Sequence, residues 1–170
     1  MIKVLLKGPI LTQSGYGHHA RTVLRALQTK SDVYDVYIQP ITWGHTSWVW
    51  EDNEERRTID NLLKKTIAHT QSGGTFDMSI QVSIPNEWEK ITPINIGVTA
   101  GIETTKVSPK WIEKSFLMDK IITISTHSKN VFDNTVYVAR DEQGNESEFK
   151  VKEPIEYVSY PYRKFEKEEL

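Results

Sequence analysis

Ile2-Lys3-Val4-Leu5-Leu6-Lys7, then Gly8-Pro9-Ile10-Leu11-Thr12-Gln13-Ser14-Gly15-Tyr16-Gly17, then His18-His19-Ala20-Arg21-Thr22-Val23-Leu24-Arg25-Ala26-Leu27: this opening decides the fold. Residues 2–7 form a short apolar run that suits a buried strand. Ala20, Val23, Leu24 and Leu27 recur at helical spacing and make one core face. Arg21 and Arg25 fall one turn apart on the opposite side, and the helix is expected to start near Tyr16 or Gly17. Strand, glycine-bearing loop and helix begin a parallel βαβ sheet. In such sheets ligands gather at the carboxyl ends of strands, beside helix N-termini. The loop is therefore expected to mark the functional edge.

The same alternation continues along the chain. Strands are expected at 35–40, 77–85, 93–101, 119–125 and 155–161. The charged segment from Glu51 to His69 places Ile59, Leu62, Leu63 and Ile67 at helical spacing, and Gln71-Ser72-Gly73-Gly74 stops it. Another helix opens at Pro109, with Ser108 as N-cap and the proline at the first helical position. Thr126 begins a short helix through Phe132. Gln143-Gly144-Asn145 between Val136-Tyr137-Val138 and Phe149-Lys150-Val151 signals a hairpin within 135–151. The charged tail from Arg163 to Leu170 is expected to be loosely ordered. The expected fold is α/β: a Rossmann-like three-layer sandwich with a mostly parallel sheet, plus a β-hairpin insertion near the C-terminus.

Composition narrows the function. A length of 170 residues suits one domain with its own core. The net charge of −2 gives no support to a general nucleic-acid surface. With no cysteine, disulfides and thiolate metal sites are excluded. Lys7 and Gly8 end the first apolar run too early for a signal peptide. The cytoplasm is the expected compartment, with room for peripheral association with a membrane face.

Several motifs could carry chemistry. Gly15 and Gly17 let backbone approach a phosphate at a helix N-terminus; alternatively they only make a tight turn. The glycines do not follow G-x-G-x-x-G, and Gln39-Pro40 stands where a ribose-binding acid would be. No P-loop pattern occurs. His18 is expected to face the cleft, while His19 either contacts a ligand or lies in a solvated first turn. Trp43, Trp48 and Trp50 either plug the sheet edge or line a binding surface on which sugars stack. Thr99-Ala100-Gly101 ends a central strand with small residues. Glu103 at that mouth suits a general base or a polyol contact, or is an exposed loop acid. Ser125 and His127 open the helix after strand five, where capping alone would explain the hydroxyl. No metal-ligand pattern stands out.

Taken in order, these pieces resemble the N-terminal domain of a GT-B glycosyltransferase of the retaining, group 1 (family-four-like) type. The likeness rests on the Gly8-Pro9 to Gly17-His18 loop, on Gly101-Ile102-Glu103-Thr104, on Ser108-Pro109-Lys110-Trp111 with Asp119 to Lys129, and on Ile155 to Pro161. It implies an acceptor-side half spanning residues 1–170, with the nucleotide-sugar domain lying in the same polypeptide beyond this chain. The implied reaction moves a sugar from a nucleotide-sugar donor to an acceptor hydroxyl, with no permanently bound cofactor or metal. Gly15, Tyr16 and Gly17 would hold the donor phosphates. Glu103 would be catalytic, and His18, Trp43, Thr99, Gly101, Ser125 and His127 would line the acceptor cleft. The chain departs from the family where many members carry a donor-contacting histidine, because Thr99-Ala100-Gly101 stands there. The half alone is expected to be inactive. Two rivals remain: a nucleotide-dependent Rossmann-type enzyme, and a free-standing carbohydrate- or protein-binding module using the Trp43–Trp50 loop.

Overall fold

The computed structural model describes residues 1–161; the expectation for the charged tail falls outside them. β1 (Ile2–Gly8) pairs in parallel with β2 (Tyr34–Pro40) on one side and β3 (Met78–Val82) on the other. β4 (Ile94–Val98), β5 (Lys120–Thr123) and β8 (Ile155–Tyr157) extend the sheet, all parallel, in the order β2-β1-β3-β4-β5-β8. The chain reverses its direction of travel between β1 and β3. That switch point is where open α/β sheets place ligands.

The helices are α1 (Gly15–Gln28), α2 (Glu54–Gln71), α3 (Pro109–Ser115) and α4 (Thr126–Asn134). Successive residues of a strand point to opposite faces, and the two cores obey this rule. Val4, Leu6, Val36, Ile38, Ile80, Val82 and Val98 pack with Ala20, Leu24 and Leu27 of α1 and Ile59 of α2. Ile121 and Ile155 pack with Ile112 of α3, Val131 and Phe132 of α4, and Trp88. The result is an α/β fold with helices on both faces of a mostly parallel sheet. The antiparallel hairpin, β6 (Tyr137–Arg140) with β7 (Glu146–Phe149), stands apart from that sheet.

Some boundaries differ from expectation. Strands β5 and β8 are shorter, because Ser125 turns to cap α4 and the chain leaves the sheet after Tyr157. Ile67 sits on the outer side of α2 and is 54% exposed. Within β3 the polar Ser79 and Gln81, which alternate with Met78, Ile80 and Val82, are buried. The β3–β4 connection folds over them: Gln81 Nε2 donates to Ser79 Oγ at 3.1 Å, and its Oε1 accepts from Glu89 N at 3.0 Å. Lys7 Nζ reaches the Glu89 carboxylate at 2.5 Å, and that bond is the main cause holding Glu89 below its usual pKa. The Trp88 indole lies against Gly97, where a Cβ would come within 2.5 Å of the ring. On the α1 side, a groove of about 550 Å³ floored by Ile80, Val98 and Ile122 runs between α1 and residues 158–161. Among the described residues no helix is long and apolar enough to cross a membrane.

Candidate functional site

Ser14 sets the site. Its backbone is extended, and its Oγ accepts from Gly17 N at 2.9 Å, so it caps α1. Capping starts the helix at Gly15. The preceding loop is braced from three directions. Thr12 Oγ1 donates to Pro9 O at 2.9 Å and meets Ser14 Oγ at 2.8 Å. Arg21 Nη1 donates back to Ile10 O at 2.8 Å and Thr12 O at 2.9 Å. The tryptophan-bearing segment runs alongside: Val49 N donates to Leu11 O and Gln13 N to Ser47 O, each at 2.7 Å. Thr12 and Trp48 form an antiparallel bridge there.

The two glycines do different work. A Cβ at Gly17 would stand 2.1 Å from Thr12 O, so this position must be glycine for the helix to sit on its own loop. Its N–H is also taken by Ser14. Gly15 has open space where a Cβ would be and is exposed. The phosphate contact expected of Gly15, Tyr16 and Gly17 is therefore restricted, and Gly17 contributes through packing. Ser14 was the missed residue; a serine before a helical apolar stripe is a readable N-cap signal.

Tyr16 ties α1 to the end of β4. Its hydroxyl lies 2.9 Å from Thr99 Oγ1 and accepts from Ala100 N at 3.2 Å. Burial raises its pKa, against the opposing effect of these bonds. The Trp43 ring packs on Tyr16 at 4.8 Å between centroids. Thr99 is fully buried, and Gly101 adopts φ +79° with a Cβ site 2.5 Å from Ser128 Oγ. Ser128 Oγ donates to Ala100 O at 3.0 Å, and Ser125 Oγ accepts from Ser128 N at 3.1 Å as the α4 cap. One row along the carboxyl edge thus joins Trp43, Tyr16, Thr99, Gly101 and Ser125.

The remaining candidates lie off this row. Glu103 is exposed on the β4–α3 connection and makes no hydrogen bond among the described residues. His127 is exposed on the first turn of α4. His18 is exposed and faces a polar cleft on the opposite flank of α1. His19 reverses the solvated alternative: it is only 6% exposed, its ring meets Tyr160 edge-on at 4.7 Å, and Nδ1 has no partner among the described residues. Burial, with a smaller push from the His18 charge, lowers its pKa to about 4. Trp48 and Trp50 are 53% and 80% exposed.

Among the described residues, no group of three or more His, Asp or Glu is placed to hold a metal ion. No protein-family model matches the chain, and no curated protein or solved structure matches it. The fold class is an α/β, Rossmann-like sheet, and fold class alone does not name a reaction.

Proposed function

We propose that this chain is the acceptor-side part of a glycosyltransferase that moves a sugar from a nucleotide-sugar donor to an acceptor hydroxyl. The observation that carries the reading is the open N-terminus of α1 at Gly15, latched by Tyr16 to the Thr99–Gly101 end of β4. The N–H groups of Gly15 and Tyr16, which have no partner among the described residues, and the positive end of the helix suit a diphosphate. In the reaction the bond from the anomeric carbon to the donor phosphate oxygen breaks, and a bond from that carbon to the acceptor oxygen forms. The acceptor proton leaves to a base, for which Glu103 is the candidate, or to the departing phosphate. Charge growing on the leaving diphosphate is stabilised by pre-placed N–H dipoles. A second domain supplies the rest of the donor site and shuts water out on closure.

The experiment is a titration of the chain with UDP-glucose, GDP-mannose and ADP-glucose, followed by backbone amide shifts. Saturable shifts centred on Gly15, Tyr16 and Ala100 are expected with at least one donor. Shifts absent with every donor, or unchanged in Gly15→Val, sink the reading.

A second reading has its own observation. Trp48 and Trp50 expose their indoles on a segment clamped by backbone bonds, which suits a free-standing sugar-binding surface. Under that reading Trp50→Ala abolishes saccharide binding and Gly15→Val leaves it intact.

A further inference from the structure

On the flank of α1 opposite Tyr16, a cleft of about 560 Å³ opens between α1 and the start of α2. That volume lies within the range of small-molecule sites, roughly 300–1,000 Å³. His18, Arg21 and Arg25 form one stripe along α1, at helical spacing. Glu51, Asn53 and Glu55 face them from the segment that caps and opens α2.

The charged groups are held in place and cancel. Arg25 donates through Nη1 to the Glu55 carboxylate and through Nη2 to Thr22 Oγ1 at 3.0 Å. Arg21 Nε stands 3.9 Å from Glu55 Oε2, while its Nη1 is anchored on the loop carbonyls. Asn53 caps α2 through Oδ1, which accepts from Arg56 N at 2.9 Å, and donates through Nδ2 to Glu51 Oε2 at 3.0 Å. Both guanidiniums therefore face carboxylates. A phosphate entering here would meet Glu51 and Glu55 as well as the cations, so an anion gains little. A simple cation meets the reverse conflict. A neutral ring bearing several hydroxyls gains from both, because each hydroxyl donates to a carboxylate and accepts from a guanidinium. Ser14, which caps α1, also lines the cleft, so it opens directly beside the Gly15 end of the helix.

We propose that this cleft is the acceptor seat and takes a neutral saccharide, whose hydroxyls bridge Arg21 and Arg25 to Glu51 and Glu55. The word acceptor rests on the glycosyltransferase reading; the binding of a neutral saccharide does not.

The test is a titration of the isotope-labelled chain with methyl α-mannopyranoside and maltose, then with inorganic phosphate, reading arginine Nε–Hε and asparagine side-chain signals. Saturable shifts of Arg21 Nε–Hε and the Asn53 amide are expected with at least one saccharide and not with phosphate. Glu51→Gln, which removes a charged acceptor from an exposed position, is expected to weaken saccharide binding about tenfold or more with the amide spectrum otherwise unchanged. Saccharide shifts confined to the Trp48 and Trp50 indoles, phosphate shifts of equal size at Arg21, or no saccharide shift at all overturn the proposal. The same spectra separate the two readings. Saccharide shifts at Arg21 without donor shifts at Gly15 support the saccharide seat and remove the transferase reading. Donor shifts at Gly15 without saccharide shifts at Arg21 remove the seat alone.

Discussion

Acidification should destabilise this chain in part through His19. The imidazole is buried against Tyr160, its Nδ1 has no partner among the described residues, and its pKa lies near 4 against an ordinary 6.5. In the unfolded chain the ring is free to take up a proton near pH 6.5; in the folded chain it resists until about 4. Between those values the unfolded state binds more protons, so stability falls as pH falls. The interval from 6.5 to about 4, at 1.36 kcal/mol per pH unit, amounts to about 3 kcal/mol. That contribution is whole above pH 6.5, mostly lost by pH 4, and flat below. The assay is urea denaturation of the native chain and of His19→Leu at steps from pH 7.5 to 3.5. Carboxylates titrate alike in both proteins and cancel in the difference. The native chain should lose about 3 kcal/mol more than the variant across that span. A difference constant to within about 0.5 kcal/mol, comparable to an ordinary surface substitution, refutes the argument.

Other substitutions separate packing from binding. Gly17→Ala forces a methyl into the Thr12 carbonyl and should cost about 1–3 kcal/mol in denaturation. Gly15→Ala meets open space and should change stability by no more than about 0.5 kcal/mol. Tyr16→Phe removes the hydroxyl that serves Thr99 and Ala100; a loss of about 1 kcal/mol, with a change in Trp43 emission, is expected. Ser14→Ala removes the α1 cap and should cost about 1 kcal/mol, seen as faster amide exchange at Gly17. Transferase assays on residues 1–170 alone should show no turnover, and robust turnover would defeat the two-domain account.

The layered fold is legible because apolar spacing differs between strands and helices. Ala20, Val23, Leu24 and Leu27 announce α1, and Ser108-Pro109 announces α3 through cap chemistry. The order of strands along the sheet is not legible, since it depends on contacts between distant segments. The same limit explains the site. His19 flanks the apolar stripe of α1, and its ring packs against Tyr160, from the far end of the described chain. Gly17 carries no mark distinguishing it from Gly15; the difference lies in where Thr12 O points. Ser79 and Gln81 alternate with apolar residues in sequence, and nothing local reveals that the segment at Glu89 folds back to bond Gln81.

The brace from Arg21 to the carbonyls of Ile10 and Thr12 has a consequence for affinity. Fixing the backbone of one loop residue costs roughly 1–2 kcal/mol in conformational entropy. A flexible glycine loop would exact that cost from every ligand it closed around. Here the helix that follows the loop reaches back and holds it from within, while Leu11 and Gln13 lean on the tryptophan segment. The loop is ordered by folding itself. Under the glycosyltransferase reading, a donor at Gly15 would meet a loop already ordered, and its contacts would count toward affinity in nearly full measure.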